Sequence, residues 1–305
     1  MPDAQRTYRP PGPLDLRLTL GPLRRGARDP CTRIEAARAW RATRTPDGPA
    51  TTSLTVCAPH GEVRVESWGP GAAWAVEAAP ALLGALDDPD RLVPRHRLVG
   101  ELIRRFPGLR LGRAQVVTEV LVPTILEQKV IGKEARTSYR SLVLALGEPA
   151  PGPGGELGLF VPPAPATLAA TPSWQMHPWG VERKRADTIR AAAGAWRRLE
   201  DAVAMAPQDA MARLQAVRGV GPWSAAEVAR VALGDPDAVS VGDFHLPHQI
   251  CWALAGRARG DDAVMLELLE PYAGQRGRVQ RLVEAAGITA PRFGPRLALR
   301  AVERH

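Results

Sequence analysis

Residues 214–233 read LQAVRGVGPWSAAEVARVAL. Both flanks carry apolar residues three and four apart, the spacing of a helix face. The middle, Arg218-Gly219-Val220-Gly221-Pro222-Trp223, holds two glycines and a proline, the weakest helix formers. A helix broken and restarted at once describes two helices folded back through a hairpin. Glycine reaches backbone conformations closed to other residues and leaves the main chain open to a ligand. Pro222 stands in the first turn of the second helix, where its missing N–H costs little. Free amides at such a helix start make an anion site. An ordinary helix–helix turn can show the same Gly-x-Gly, so the tripeptide alone leaves both uses open.

Composition narrows the partners. The formal charge of +8 and pI of about 10.2 point to a polyanion, either nucleic acid or an anionic membrane surface. The cations are nearly all arginine, which suits bidentate phosphate contacts; the lysines are Lys129, Lys133 and Lys184. A GC-rich coding bias would also enrich Ala, Arg, Gly and Pro, so charge by itself favours nucleic acid only modestly. No run of 18 apolar residues offers a membrane span, and the start MPDAQRTYRPPGP lacks the apolar stretch of a secretory signal. Cys31, Cys57 and Cys251 are odd in number and far apart, which argues against a disulfide framework and excludes a four-cysteine cluster. The setting this implies is reducing and cytoplasmic. At 305 residues and 45% hydrophobic, the chain can bury a sizeable core in one large domain or two.

Ahead of the hairpin, LDLRLTL (14–20) alternates as a strand, and TTSLTVCA (51–58) and EVRVESW (62–68) follow, with turn signals at Thr45-Pro46-Asp47-Gly48 and His60-Gly61. PGAAWAVEAAPALLGAL (70–86) reads as a helix, and DDPD (87–90) punctuates the chain. From there the spacing is helical near 97–106, 114–146, 183–200, 208–217, 222–233, 244–255, 262–269 and 275–286. The Pro/Gly-rich run 147–168 reads as a surface loop. The expected fold is α+β: a small antiparallel-sheet N-terminal domain over residues 1–90, then a mostly helical domain over 91–305 that contains the hairpin at 214–233.

After the hairpin comes GDPDAVSVGDFHLPHQICWAL (234–254), which places Asp243 20 residues beyond Trp223. Hairpin and aspartate together resemble the helix-hairpin-helix DNA glycosylases, and among them the bacterial 3-methyladenine DNA glycosylase II type. YRPP (8–11), LGPL (20–23), PGLRL (107–111), LVPTILEQKVIGKEAR (121–136) and GVERKRADTIRAAA (180–193) resemble further segments of that type, so the likeness runs over nearly the whole chain. It implies a monofunctional enzyme that hydrolyses the N-glycosidic bond of damaged bases, alkylated ones above all, flipped out of double-stranded DNA. It also implies a monomer without a cofactor, working in the cytoplasm on nucleoid DNA and not on a membrane.

The resemblance places the catalytic role on Asp243, whose carboxylate would stabilise the positive charge developing on the sugar and help orient water. An aspartate ahead of a helix is also a common N-cap, and both roles can hold. Bifunctional relatives carry a lysine where Trp223 stands; tryptophan cannot form an imine with the sugar, hence the monofunctional expectation. Trp223 and Tyr272 are implied as base-pocket residues, since electron-deficient alkylated purines stack on aromatic faces; core packing is the other use of Trp223. Trp174 and Trp179 are weaker pocket candidates. Two departures stand out: Glu227 and Pro22 occupy positions that are aromatic in the resembled type. Gly219, Val220 and Gly221 are implied to face DNA. Gln128 and Lys129 match the pair that fills the gap left by the flipped base, Lys129 with its apolar stem or else as an ordinary surface residue. The main-chain carbonyls of Gln215, Val217 and Val220 correspond to those that hold a Na⁺ or K⁺ ion. Asp243, His245 and His248 form a D-x-H-x-x-H string without the further ligands a metal site needs. Two rivals remain: a non-catalytic hairpin protein that binds distorted DNA, and a glycosylase for another purine lesion.

Overall fold

The computed structural model describes residues 1–57 and 61–291. His60 of the expected His60-Gly61 turn, and the tail 292–305 of the expected helical domain, lie outside the described residues. Strands β1 (Ala4–Tyr8), β2 (Thr32–Ile34), β3 (Arg38–Thr45), β4 (Gly48–Cys57) and β5 (Glu62–Trp68) form one antiparallel sheet in the order β1-β5-β4-β3-β2. β3 and β4 pair down to Thr45 opposite Gly48, and Gly48 sits at φ +126°, a conformation that calls for glycine. The rest of the chain is mainly helical, so the fold is α+β.

Two cores hold the body together. In the first, Leu54, Val63 and Val65 of the sheet pack with the helices Val117–Leu126, Arg183–Gly194 and Pro207–Gln215. That packing runs unbroken across residue 90. The second core joins Arg97–Arg105, Leu246–Ala255, Asp262–Leu269 and Arg276–Ala285. Among the described residues no helix is long and apolar enough to cross a membrane.

Residues 14–20 form no strand. Leu16–Leu20 is a short helix capped by Asp15, whose Oδ1 accepts from the amides of Arg17 and Leu18 at 2.8 and 3.0 Å. Leu16 and Leu20 alternate as a strand would, yet they are also four apart, and both are buried. The cap decides between the two periods. The run 147–168 is likewise more than a surface loop. Glu148–Pro149 pairs with Phe160–Val161, and Ala150, Leu159 and Val161 pack beside Trp40 of β3. Its prolines and glycines shape the turns while the apolar residues between them anchor the segment. The expected helix over 114–146 breaks at 127–131, between Val117–Leu126 and Gly132–Leu146, with Lys129 at φ +55°.

Candidate functional site

The hairpin joins Pro207–Gln215 to Pro222–Val228. Leu214, Val217 and Val220 are buried in the first core and pin the turn from below, while Gln215, Arg218 and Gly219 are exposed. The two glycines differ. Gly219 lies at φ +93°, and a Cβ there would collide with the Thr188 hydroxyl, so the fold itself requires glycine. Gly221 has an extended backbone any residue adopts, and a Cβ would meet nothing within 4 Å. Its missing side chain matters only to something that approaches from outside.

Asp243 is half-buried beyond Gly242, which sits at φ +88° and donates its amide to Asp262 at 3.1–3.2 Å. Asp243 Oδ1 accepts from the amides of His245 and Leu246 at 2.7 and 2.8 Å, an Asx turn that leads into the helix Leu246–Ala255 and satisfies its first amide, with His245 in the N-cap position. Oδ2 accepts from the Trp223 indole N–H at 3.1 Å. Trp223 is therefore only partly buried and is tied to Asp243, not lost in a core. Three donors fix the direction of this carboxylate. Phe244, next in sequence, is 74% exposed and meets His245 edge-on at 4.9 Å between ring centres.

One turn beyond Trp223, Glu227 and Arg230 enter a cleft of about 550 Å³. The helix widens here into a π segment, Ala229–Leu233. The wider turn frees the Val231 and Ala232 carbonyls, which accept from Ala114 and Gln115 at 3.0 Å. Arg230 lies between two carboxylates, Nη1 on Glu227 and Nη2 on Glu284, both at 2.7 Å. Ser240 donates to Glu227, and Gln280 Nε2 donates to Ser240 Oγ at 3.0 Å and to Glu284 at 2.8 Å. Burial alone would lower the Arg230 pKa; the charges of Glu284 and Glu227 outweigh it and push it up. Burial alone would raise the Glu284 carboxyl, and Arg230 brings it below its usual range. Across the cleft Glu127 pairs with Arg25 at 3.3 Å, and burial keeps its carboxyl above the usual range. The network touches the Asp243 corner directly, since the Asp243 amide donates to the Ser240 carbonyl at 3.2 Å.

No family model matches the chain. Over 170 residues it is 32% identical to the "Probable bifunctional transcriptional activator/DNA repair enzyme AlkA" of Mycobacterium tuberculosis, a match covering 56% of this chain and 32% of that protein. The chain thus spans about a third of the length of the curated relatives it matches. It superposes on the 3-methyladenine DNA-glycosylase from Archaeoglobus fulgidus with a TM-score of 0.77 at 17% identity, covering 92% of this chain and 98% of that one. It superposes on the Clostridium acetobutylicum 8-oxoguanine glycosylase/lyase, solved with double-stranded DNA, with a TM-score of 0.70 at 12% identity, over 92% and 96% of the two chains. The fold is that of the helix-hairpin-helix DNA glycosylases.

Within this glycosylase fold, the expected residues separate into three groups. Trp223 and Asp243 are in contact. Pro22 and Glu227, expected as altered pocket positions, line one cleft. Tyr272 is not brought to it. That side chain is 3% exposed in the second core, with its hydroxyl accepting from the amides of Arg95 and His96 and lying 2.7 Å from His96 Nδ1. The reason is local: the turn Glu270–Tyr272 points the ring inward against Leu246 and Val279. Gln128 is held by the hairpin, Nε2 donating to the Gly219 carbonyl at 2.9 Å and to Ser224 Oγ at 2.8 Å, while Lys129 beside it is exposed. Trp174 is 75% exposed, away from the cleft lining. His248 Nδ1 accepts from the Gly260 amide at 3.2 Å, and no cluster that could hold a metal occurs among the described residues. Sequence reasoning missed Phe244 and the set Arg230, Ser240, Gln280 and Glu284. The aromatic directly after Asp243 is the one available signal; the network is spread over 58 residues of chain, from 227 to 284.

Proposed function

We propose that the protein is a monofunctional DNA glycosylase that hydrolyses the N-glycosidic bond of a damaged base flipped out of duplex DNA, opening base excision repair. The observation that carries this reading is Asp243, a partly open carboxylate aimed by two amides and an indole N–H on a helix-hairpin-helix frame; it does not line the cleft itself and is linked to it through Ser240, which bonds the cleft residue Glu227. The hairpin takes a DNA phosphate on the backbone around Gly219, Val220 and Gly221, and Gly221 leaves room for it. The damaged nucleotide rotates out of the stack into the cleft. Lys129, exposed on its left-handed turn, fills the gap in the duplex, while Gln128 braces that turn against the hairpin. As the base leaves, positive charge grows on the sugar, and Asp243 stabilises it and orients the attacking water. Trp223 has no amine to give, so the strand stays intact.

The carbonyls of Gln215, Val217 and Val220 fit a Na⁺ or K⁺ ion in kind, being hard oxygen donors at a turn. The Val217 carbonyl already accepts from the Val220 amide at 3.0 Å, which leaves it one lone pair. Such an ion would add positive charge beside the phosphate. The protein acts as a monomer in the bacterial cytoplasm, held to the nucleoid by DNA. The Archaeoglobus fulgidus neighbour is named for 3-methyladenine and the Clostridium acetobutylicum one for 8-oxoguanine; alkylated purines are the substrates of this reading.

The test is base release from duplexes that each carry one defined lesion, followed by alkali, which cuts at abasic sites the enzyme leaves uncut. Release without alkali-independent nicking, and no covalent adduct on adding borohydride, is the expected result. A protein that binds these duplexes and frees no base is a hairpin DNA-binding protein instead.

A further inference from the structure

The cleft that Pro22 and Glu227 share is lined by six arginines and four carboxylates, a surplus of two positive charges. Three of the carboxylates are already engaged: Glu227 and Glu284 clamp Arg230, and Glu127 pairs with Arg25. Arg24, Arg136 and Arg281 form no ion pair with a carboxylate among the described residues. Yet the fold makes room for them. Arg136, exposed on the lining, runs past Gly26, where a Cβ would stand 2.5 Å from its Cδ, and past Gly132, where one would stand 3.2 Å from its Nη1. Half-buried Arg281 donates from Nη2 to the Leu18 carbonyl at 2.6 Å, and that nitrogen lies 3.6 Å from where a Gly21 Cβ would be. Arg24 donates from Nη2 to the Ala27 carbonyl at 3.4 Å, and its Nε–H is buried without a partner.

A guanidinium drawn out of water without a counter-charge is costly, and a buried N–H without an acceptor adds to the cost. Burial pushes the Arg281 guanidinium below its usual range; Glu284 pulls it back and Arg230 pushes it further down. An anion in the cleft supplies what these groups lack. A phosphate monoester carries about two negative charges at neutral pH, which matches the surplus, and its oxygens fit the guanidinium fork. The cleft volume of about 550 Å³ exceeds what a bare phosphate fills and is that of a small-ligand pocket. Leu23, Leu82, Leu111 and Val231 line the remainder and suit the apolar face of a nucleobase. Strand phosphates stand on the outside of a duplex and meet exposed groups such as the hairpin tip, whereas a cleft admits a free molecule. We propose that this cleft is a binding site for a free nucleoside monophosphate, with Arg24, Arg136 and Arg281 holding its phosphate. The site stands apart from the glycosylase reading, because it needs neither Asp243 nor a flipped base.

The test is calorimetric titration of the full chain with deoxyadenosine monophosphate, and with deoxyadenosine as the phosphate-free control, at one ionic strength. We expect one saturable site for the monophosphate and binding of the nucleoside weaker by about tenfold or more, the usual worth of a charge-assisted hydrogen bond. Arg136→Gln should weaken the monophosphate by about tenfold or more, while its melting temperature and its affinity for undamaged duplex stay as in wild type. Should this variant melt early, Arg24→Gln repeats the comparison. Nucleoside and monophosphate bound alike, or neither bound, overturns the proposal. So does an Arg136→Gln chain that binds the monophosphate as wild type does and the duplex more weakly, which assigns these arginines to the DNA strand. A chain that binds the monophosphate and frees no damaged base keeps this site and loses the glycosylase reading; one that frees the base and binds no monophosphate does the reverse.

Discussion

At the hairpin tip, Gly219 and Gly221 meet their surroundings through backbone, while Val220 anchors the turn in the core. One to three turns later on the same segment, Glu227 and Arg230 meet theirs through side chains alone. The tip stands free above buried valines, and its requirement is room; the cleft wall is a closed set of partners whose requirement is charge balance. Backbone sites announce themselves in sequence because only glycine and proline provide them. Side-chain networks do not, because glutamate and arginine stand on any surface. The same contrast separates mutational sensitivities. Removing a group from the tip changes what can approach it, whereas removing one from the wall strands the groups that remain.

The largest expected effect therefore falls on the wall. Arg230→Met keeps much of the volume and leaves Glu227 and Glu284 facing each other with their shared cation gone. Breaking a buried pair in this way costs about 3–5 kcal/mol. Urea unfolding should show that loss, while Arg218→Ala at the exposed tip stays within about 0.5 kcal/mol. Equal losses at the two positions would erase the distinction between wall and tip.

Next is Asp243→Asn, which probes the corner where the two regions join. Asparagine can still form the Asx turn through its Oδ1, but its amide then faces the Trp223 N–H, donor against donor. Stability should drop by about 1 kcal/mol for the lost indole bond. Base release in single turnover should fall about a hundred- to a thousandfold, the usual cost of losing one preorganised electrostatic partner. Release close to wild type would reduce Asp243 to a turn residue. Trp223→Phe keeps an aromatic ring, smaller than the indole, and removes the donor that aims Oδ2. A hydrogen bond to a charged group contributes about 1.5–3 kcal/mol when well formed, so about a tenfold slower release is expected, with DNA binding unchanged. A larger loss of binding than of release would make Trp223 a wall of the pocket, not the support of Asp243.

The legibility of the sequence follows the same division. Gly-x-Gly-Pro-Trp and the aspartate after it locate the hairpin and the corner, because each depends on a residue type with few substitutes. Helices such as Arg97–Arg105 and Asp262–Leu269 lie where their periodicity places them. The errors occur where two periods coincide or where a distant partner decides. Leu16 and Leu20 satisfy strand and helix alike, and Asp15 breaks the tie. The run 147–168 has the composition of a loop, and Trp40, more than a hundred residues earlier, gives it something to pack on. Tyr272 had a suggestive Pro-aromatic neighbourhood, and His96 claims its hydroxyl. Glu227 looked like a lost aromatic. Only with Arg230, Ser240 and Glu284 around it does it become part of a charged network.

The smallest effect is the finest test, and it lies between two glycines two residues apart. Gly219→Ala must hold a φ of +93° against the Thr188 hydroxyl, so it should cost about 1 kcal/mol or more in unfolding free energy. Gly221→Ala enters open space with an ordinary backbone and should leave stability within about 0.5 kcal/mol. Its effect should appear only with DNA. The methyl group stands where a phosphate would approach, so affinity for damaged and undamaged duplexes should fall alike. The log–log salt dependence should flatten by about 0.9, the share of one phosphate. A Gly221→Ala protein that binds both duplexes as wild type does, at matched salt, would leave the hairpin an ordinary helix–helix turn. Unaltered stability in Gly219→Ala would show that Thr188 yields, and that the two glycines share one role after all.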